Sequence, residues 1–543
     1  MKKLVLSLVT LFLTFGILGC VTVGTTGEYV YVPEVMLTEL PTEDVEITFW
    51  HIYGAGKTAV LDTLIAEFEA MFPNVTITGT SQSDYNTLRS KINLGVSVLE
   101  VPTMALGYPD HYAGYVNAHA AVGLDPYINN TIEYTVDNPL STINGQTITT
   151  SIDLADFVPS YLAENNQYVG GYYFSIPFSK STEVMAVNRT VLKHHIAEIR
   201  ALGITISDNG FLSHTVPLTY TQLEALTAIL VDTDGTDVAA YKCQFLMNYD
   251  SSANLFINMS RQWNAPYTNT AGDILIDNDI SRNMLKYING LFGTNTLVLP
   301  TEWSQTFGSA NFIYGDVCMT VGSSAGYSYN IPNTDEYKVA DLKYSLFDVD
   351  FVQVPQMVLT DATDVAVTVE NNEVTVSGDL SAVQQGPNIG ILAQATRAEK
   401  LYAWLFIKYL IETDNTAWWA MSTGYLPARL SAFTSDVPIE MTGTYSVTYS
   451  DFLEIAQDYW AADGVVDWAP TDERWDYLYS SMAANIAKNQ NDFYEYDPAF
   501  SAGSNSAGSA TAREEAGNCL DDIYNATFSP TDSLNNMKSL LTW

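Results

Sequence analysis

Val45-Glu46-Ile47-Thr48-Phe49-Trp50-His51-Ile52-Tyr53-Gly54-Ala55-Gly56-Lys57-Thr58 sets the architecture of everything after it. Val45 to Trp50 reads as a strand, and a glycine-containing turn follows over Tyr53-Gly54-Ala55-Gly56. Leu61, Leu64, Ile65, Phe68 and Phe72 then recur at helical spacing, and Pro73-Asn74 stops that helix. Val75-Thr76-Ile77-Thr78 alternates as a second strand. The next helix carries Tyr85, Leu88 and Ile92 and is expected to stop at Gly95. Val101 to Leu106 is short and apolar, as a buried strand should be. Strand, helix, strand, helix and strand in this order imply an α/β unit around a largely parallel sheet.

Further along, Tyr220 to Leu230 has a helical period, Asp232-Thr233-Asp234-Gly235 is a turn, and Asp316 to Val321 is a strand running into Gly322. Residues 396–422 predict two helices rich in Trp and Leu, with Gly424 as the C-cap. Residues 365–376 alternate in the manner of a hairpin, and Ser501 to Gly508 reads as a polar loop.

Upstream, Lys2 and Lys3 precede an apolar run, Leu4 to Leu18, too short for a stable membrane span. The run ends in Ile17-Leu18-Gly19-Cys20, which resembles the bacterial lipobox. The resemblance implies removal of residues 1–19 and a lipid on Cys20. Residues 20–44 are polar and Thr/Glu-rich, and are expected to be a tether between lipid and body. With 47% hydrophobic residues the body can bury a large core, and its length suits two or more domains. A net charge of −39 excludes a nucleic-acid binder and a polybasic membrane patch. Cys243, Cys318 and Cys519 are odd in number and far apart, so neither a disulfide framework nor a metal site is expected. Cys318, between Val317 and Met319, reads as a core thiol.

Several motifs mimic catalytic ones. Gly54-Ala55-Gly56-Lys57-Thr58 ends like a P-loop, but His51 stands where the first glycine belongs. Gly322-Ser323-Ser324-Ala325-Gly326 fits the serine-hydrolase elbow, yet the last histidine is His214 and none follows Ser324 to serve as base. The acidic loop 232–237 lacks EF-hand spacing, and the adjacent His194 and His195 point to different sides of a helix. No catalytic residue, metal or cofactor is expected.

Five ordered segments resemble the extracellular solute-binding proteins of ABC importers, family 1, whose members bind maltose, oligosaccharides or glycerol phosphate. They are Ile47 to His51 with Phe72-Pro73-Asn74-Val75; Tyr85 and Leu88 to Ile92 with Pro102 and Tyr108-Pro109-Asp110; Ile176 to Thr182 leading to Asn188; Tyr314 to Thr320 with Ser323, Ser324 and Gly326; and Thr423 to Arg429. The set covers most of residues 45–430. It implies two α/β lobes joined by crossing segments, with a ligand cleft that closes by hinge bending. Residues 45–180 are then expected in lobe 1, 181–317 in lobe 2, 318–385 back in lobe 1 with the 365–376 hairpin as an insertion, and 386–543 in lobe 2 with C-terminal helices. Carried over residue by residue, the resemblance suggests ligand contacts from Trp50, His51, Tyr85, Tyr108, Asp110, Ser181, Thr182, Ser323, Ser324, Gly386, Asn388 and Tyr425. Arg474 is the candidate for the arginine that would hold a phosphate, with a surface salt bridge as its alternative role. Pro109 departs from the family by displacing the acidic residue expected after Tyr108.

A sugar cleft needs aromatic platforms and a few placed polar groups. Aromatics make up 12% of the chain, including 34 Tyr and 10 Trp. Trp404 reads as core, whereas Trp50, Tyr53 and Tyr108 lie at strand ends or turns, where α/β clefts form. The expectation is a monomeric, extracytoplasmic, lipid-anchored receptor without catalytic activity, handing a carbohydrate to the transmembrane subunits of a permease. Glycerol 3-phosphate or a glycerophosphodiester is the alternative solute. A secreted serine hydrolase or an adhesin is the alternative of another class.

Overall fold

The computed structural model describes residues 31, 33–136, 146–232, 241–332, 347–357, 368–370, 373–375, 380–442, 445–469, 471–491, 494–495, 498–501 and 507–542. The expected lipidation site, Cys20, the acidic loop from 233 onward and most of the 501–508 loop lie outside these residues. No helix among the described residues is long and apolar enough to cross a membrane.

The opening pattern folds as its periods dictate. Strands β1 (Val45–His51), β2 (Val75–Ser81) and β3 (Met104–Gly107) pair in parallel, with Trp50 opposite Thr80 and Ala105. Between them run α1 (Ala55–Met71) and α2 (Tyr85–Val98). The burial of α1 through Leu61, Leu64, Ile65 and Phe68 follows its 3.6-residue stripe. The helix α2 passes Gly95 and ends at Leu99 in the left-handed conformation. Gly95 is required for a different reason: a Cβ there would lie 2.3 Å from the Glu100 carbonyl oxygen. Helix α3 (Pro109–Asn117) follows β3 at once.

The chain leaves this sheet after β4 (Ile176–Pro177) and enters a second one at β5 (Ser181–Asn188). The second sheet adds β6 (Phe245–Tyr249), β7 (Leu297–Val298), β8 (Val317–Ser323), β9 (Val349–Val352), β10 (Ala382–Gln385) and β12 (Tyr494–Glu495). β11 (Asn388–Ile391) returns to the first sheet, antiparallel to β3 and β4. The orders are β2-β1-β3-β11-β4 and β12-β10-β5-β8-β6-β7, with β9 also on β5. Each sheet has its own buried core. The protein is therefore an α/β molecule of two lobes.

Sheet membership corrects two of the expected boundaries. Residues 318–385 do not return to lobe 1, because β8 pairs with β5 and β6 and β10 pairs with β5. The return comes at β11, and the helix α5 (Arg397–Leu410) packs into the first core rather than lobe 2, while α6 (Thr413–Thr423) straddles both, with Trp419 in the first core and Ala417, Ala420 and Met421 in the second. An apolar strand such as Val317 to Val321 shows burial in its sequence but not which sheet it joins. The hairpin within 365–376 is present as Thr368–Glu370 antiparallel to Glu373–Thr375.

The crossings are held by a buried polar knot. Lys180 Nζ donates to Glu164 Oε1 at 2.6 Å, to the Gly386 carbonyl at 2.7 Å and to Asn388 Oδ1 at 3.4 Å. Gln384 and Asn388 donate their amides to the two oxygens of Glu164 at 2.6 and 2.8 Å. Gly386 takes φ of +90°, and a Cβ there would sit 2.0 Å from the Ser179 carbonyl, so the two crossings touch backbone to backbone. A third passage lies near Tyr425, where the Leu426 amide donates to the Lys180 carbonyl at 2.7 Å.

The tether also needs correction. Tyr31 and residues 33–44 lie against lobe 1, with Met36, Leu37 and Leu40 packed on its core. The Tyr402 hydroxyl donates to the Pro41 carbonyl at 2.6 Å, and the Tyr134 hydroxyl donates to that of Leu37 at 2.7 Å.

Candidate functional site

The turns that follow β1, β2 and β3 each deliver one aromatic residue, and the end of α6 delivers a fourth. Tyr53 lies in the β1–α1 turn, and Tyr85 opens α2 behind the Asp84 cap, whose carboxylate accepts from the Thr87 amide at 2.8 Å. Tyr108 is the residue before Pro109 at the head of α3, and Tyr425 follows the left-handed Gly424 that ends α6. These four tyrosines converge. The Tyr85 and Tyr108 rings are 4.5 Å apart, and the Tyr85 hydroxyl also reaches that of Tyr425. Tyr53 packs on Trp419 at 5.1 Å and on Tyr425 at 6.1 Å. The Tyr53 hydroxyl and the Trp419 indole N–H both meet Ser179 Oγ, at 2.5 and 3.1 Å, in the first crossing. Burial raises the pKa of all four phenols, so they are neutral hydrogen-bonding groups at physiological pH.

One ammonium stands beside this cluster. Lys57 Nζ lies 5.5 Å from the Tyr425 ring centre and donates to the Ala325 carbonyl at 2.9 Å. Burial lowers its pKa to about 8. Ala325 belongs to the turn after β8, where Ser323 Oγ meets Ser181 Oγ at 3.4 Å and Ser324 Oγ meets the Thr182 amide at 3.5 Å. The Gly386 backbone N–H acts on the Tyr108 hydroxyl. Tyr85, Tyr108, Ser181, Thr182, Ser323, Ser324, Gly386 and Tyr425 are thus brought around the crossings.

Other expected residues are placed elsewhere. Trp50 projects from the opposite face of β1 to Phe49 and His51, half-buried against the first core. His51 is buried and stacks on Tyr53 at 5.3 Å, and burial lowers its pKa to about 4. Asp110 Oδ1 accepts from the His111 amide at 2.9 Å within the first turn of α3. The Asn388 side chain is fully buried in the Glu164–Lys180 knot. Arg474 heads α7 (Arg474–Asn489) on lobe 2. It is clamped by Asp472 at 2.7 and 2.9 Å and lies 4.4 Å over the Trp468 ring. Lys57 and Trp419 were missed. Lys57 had a signal, a lone cation in the first helical turn after a strand. Trp419 had none, since its helical spacing is that of a core residue.

A second cation reaches the cleft from the C-terminal part of the chain. Arg513, on α8 (Ser509–Tyr524), bonds Asn254 at the start of α4 (Ser252–Gln262) and acts electrostatically on both Tyr108 and Glu183. Its neighbour Glu514 pairs with Arg89 of α2 at 3.1 Å, so α8 touches both lobes. Glu183 is buried and accepts from Tyr249 at 2.5 Å and Asn254 at 2.7 Å. Burial raises its pKa from 4.5 to about 7, against those hydrogen bonds. The folded protein therefore keeps a proton that the unfolded chain releases. Stability should fall as pH rises from about 4.5 through about 7. Glu183→Gln should flatten the unfolding free energy measured by urea titration across that window.

The chain matches the bacterial extracellular solute-binding protein family over residues 63–446. No curated protein sequence matches it. Among solved structures it is similar to the GacH receptor of Streptomyces glaucescens, solved unliganded and with acarbose. There the TM-score is 0.59 and the identity 13%, over 91% of this chain and 97% of that one. UgpB of Mycobacterium tuberculosis, in complex with glycerophosphocholine, gives 0.59 and 14% over 91% and 96%. MalE of Bdellovibrio bacteriovorus, bound to maltotriose, gives 0.58 and 13% over 91% and 98%. These likenesses share the fold of two lobes about a crossing region, and the family match spans most of both lobes. The chain belongs to the bacterial extracellular solute-binding proteins.

Proposed function

We propose that this protein is the lipid-anchored capture component of an ABC importer, held outside the cell through Cys20 and passing a carbohydrate to a membrane permease. The observation that carries the solute class is the group of three neutral tyrosines, Tyr85, Tyr108 and Tyr425, backed by the buried Tyr53 and Trp419 beside the crossings. Such rings cover the apolar faces of sugars, and their hydroxyls serve the sugar hydroxyls. Tyr85, Tyr108 and Tyr425, with Ser181 and Ser323 opposite, are the contacts we assign, and Lys57 adds a donor. A glycerophosphodiester is the second reading, favoured by the ammonium of Lys57. The arginine fork that would suit a phosphate is already spent, because Arg474 is bound bidentately by Asp472.

The protein acts by binding rather than turnover. The Ser324 hydroxyl is fully buried and faces the Thr182 amide, so ester substrates should remain intact over long incubation. A thermal-shift screen over sugars and glycerophosphates tests the solute. A ligand at a hundred times its Kd adds about 2.7 kcal/mol. Stabilisation by one or more carbohydrates is expected. Stabilisation by glycerophosphodiesters alone would overturn the sugar assignment.

A further inference from the structure

We propose that Tyr31 and residues 33–44 form a strap that ties the anchored end of the chain to lobe 1, leaving lobe 2 as the lobe that swings. The strap is seated at three separated points. Tyr31 stacks on Tyr172 with ring centres 3.8 Å apart and planes 12° apart. Glu34 pairs with Lys400 at 3.1 Å. Asn74 Nδ2 donates to the carbonyls of Pro41 and Glu43 at 3.1 and 2.9 Å. All of these partners belong to lobe 1.

The notch for Tyr31 is built into the backbone. A Cβ on Gly123 would lie 2.1 Å from the Tyr31 ring. Gly123 is not in the left-handed region, so its lack of a side chain serves that close approach and not a turn. Tyr172 leads into β4 and the first crossing, so the strap ends beside the hinge on the lobe 1 side.

The consequence for reach rests on the lipid anchor proposed above. Eleven peptide steps separate Cys20 from Tyr31, about 40 Å at full extension. A wholly free tether to Val45 would extend about 90 Å. Docking therefore cuts the longest reach of the chain from the anchor by more than half.

Proteolysis of the full chain by a glutamyl-specific protease tests the strap, read at the bond after Glu34. Native protein should be cut slowly there. Gly123→Ala and Tyr31→Ala should each be cut about tenfold faster or more, with the global unfolding midpoint nearly unchanged in Tyr31→Ala. Equal cleavage rates in native and variant chains would overturn the strap. In vesicles, energy transfer from a lipid dye should be stronger to a label on lobe 1 than to one on lobe 2, and Gly123→Ala should narrow that difference. Equal transfer to both lobes would overturn the leash. A chain that does not stay with the vesicles would refute the anchor and the leash with it, while the protease result stands by itself.

Discussion

Lys180→Met is expected to cost about 3–5 kcal/mol of folding stability, measured by urea unfolding at neutral pH. Lys180 is fully buried, and its ammonium gathers Glu164 from one chain segment and the Gly386 carbonyl and Asn388 from another. Burial alone lowers its pKa, and the Glu164 carboxylate opposes that shift. A methionine fills similar volume but leaves the carboxylate buried with only the amides of Gln384 and Asn388 for partners. An uncompensated buried charge is far more costly than the ion pair was worth. Adding Glu164→Gln to the same chain should recover part of the loss, since it removes that charge. A loss below about 1 kcal/mol would mean that the knot is relaxed by water and does not hold the crossings.

Tyr108→Ala is expected to weaken carbohydrate binding about thirtyfold or more, by calorimetric titration, the scale of a binding hot spot worth about 2 kcal/mol. Tyr108 touches Tyr85 and comes under the Gly386 backbone N–H, so it links the aromatic platform of lobe 1 to the second crossing. It is only partly buried, so its removal should disturb folding much less than loss of the fully buried Trp419. Tyr108→Phe keeps the platform and loses only the hydroxyl, and should fall between native protein and Tyr108→Ala. If Tyr108→Ala binds sugar as native protein does, the crevice assignment fails.

The legible parts of the fold were those set by local period. β1, α1, β2 and the helix pair after Thr396 follow from residue spacing, and the core positions of Cys318 and Trp404 follow from apolar neighbours. Less legible was anything that depends on which sheet a strand joins. Val317 to Val321 is equally apolar for either lobe, and only its pairing with β5 settles the matter. The strap was invisible for a related reason. Tyr31, Met36, Leu37 and Leu40 follow no helical or strand period, because each fills a separate notch on lobe 1. At the site, tyrosines at turns were readable as cleft candidates. Asn388 was misleading, because a polar residue at a crossing can serve the hinge as well as a ligand. Arg474 was attractive as a rare cation, yet Asp472, two residues before it, holds it.

The lobes meet here through Lys57 with Ala325 and Arg89 with Glu514, an arrangement that hinge closure around a solute would favour. Solute capture by these two lobes requires closure on the carbohydrate. That closure is tested most directly by the distance distribution between spin labels at two exposed positions, Leu94 on lobe 1 and Val465 on lobe 2. Saturating sugar should draw a broader distribution into one narrow peak at the separation found in this structure, and Tyr108→Ala should require far more sugar to do so. A distribution that no carbohydrate alters would contradict the account.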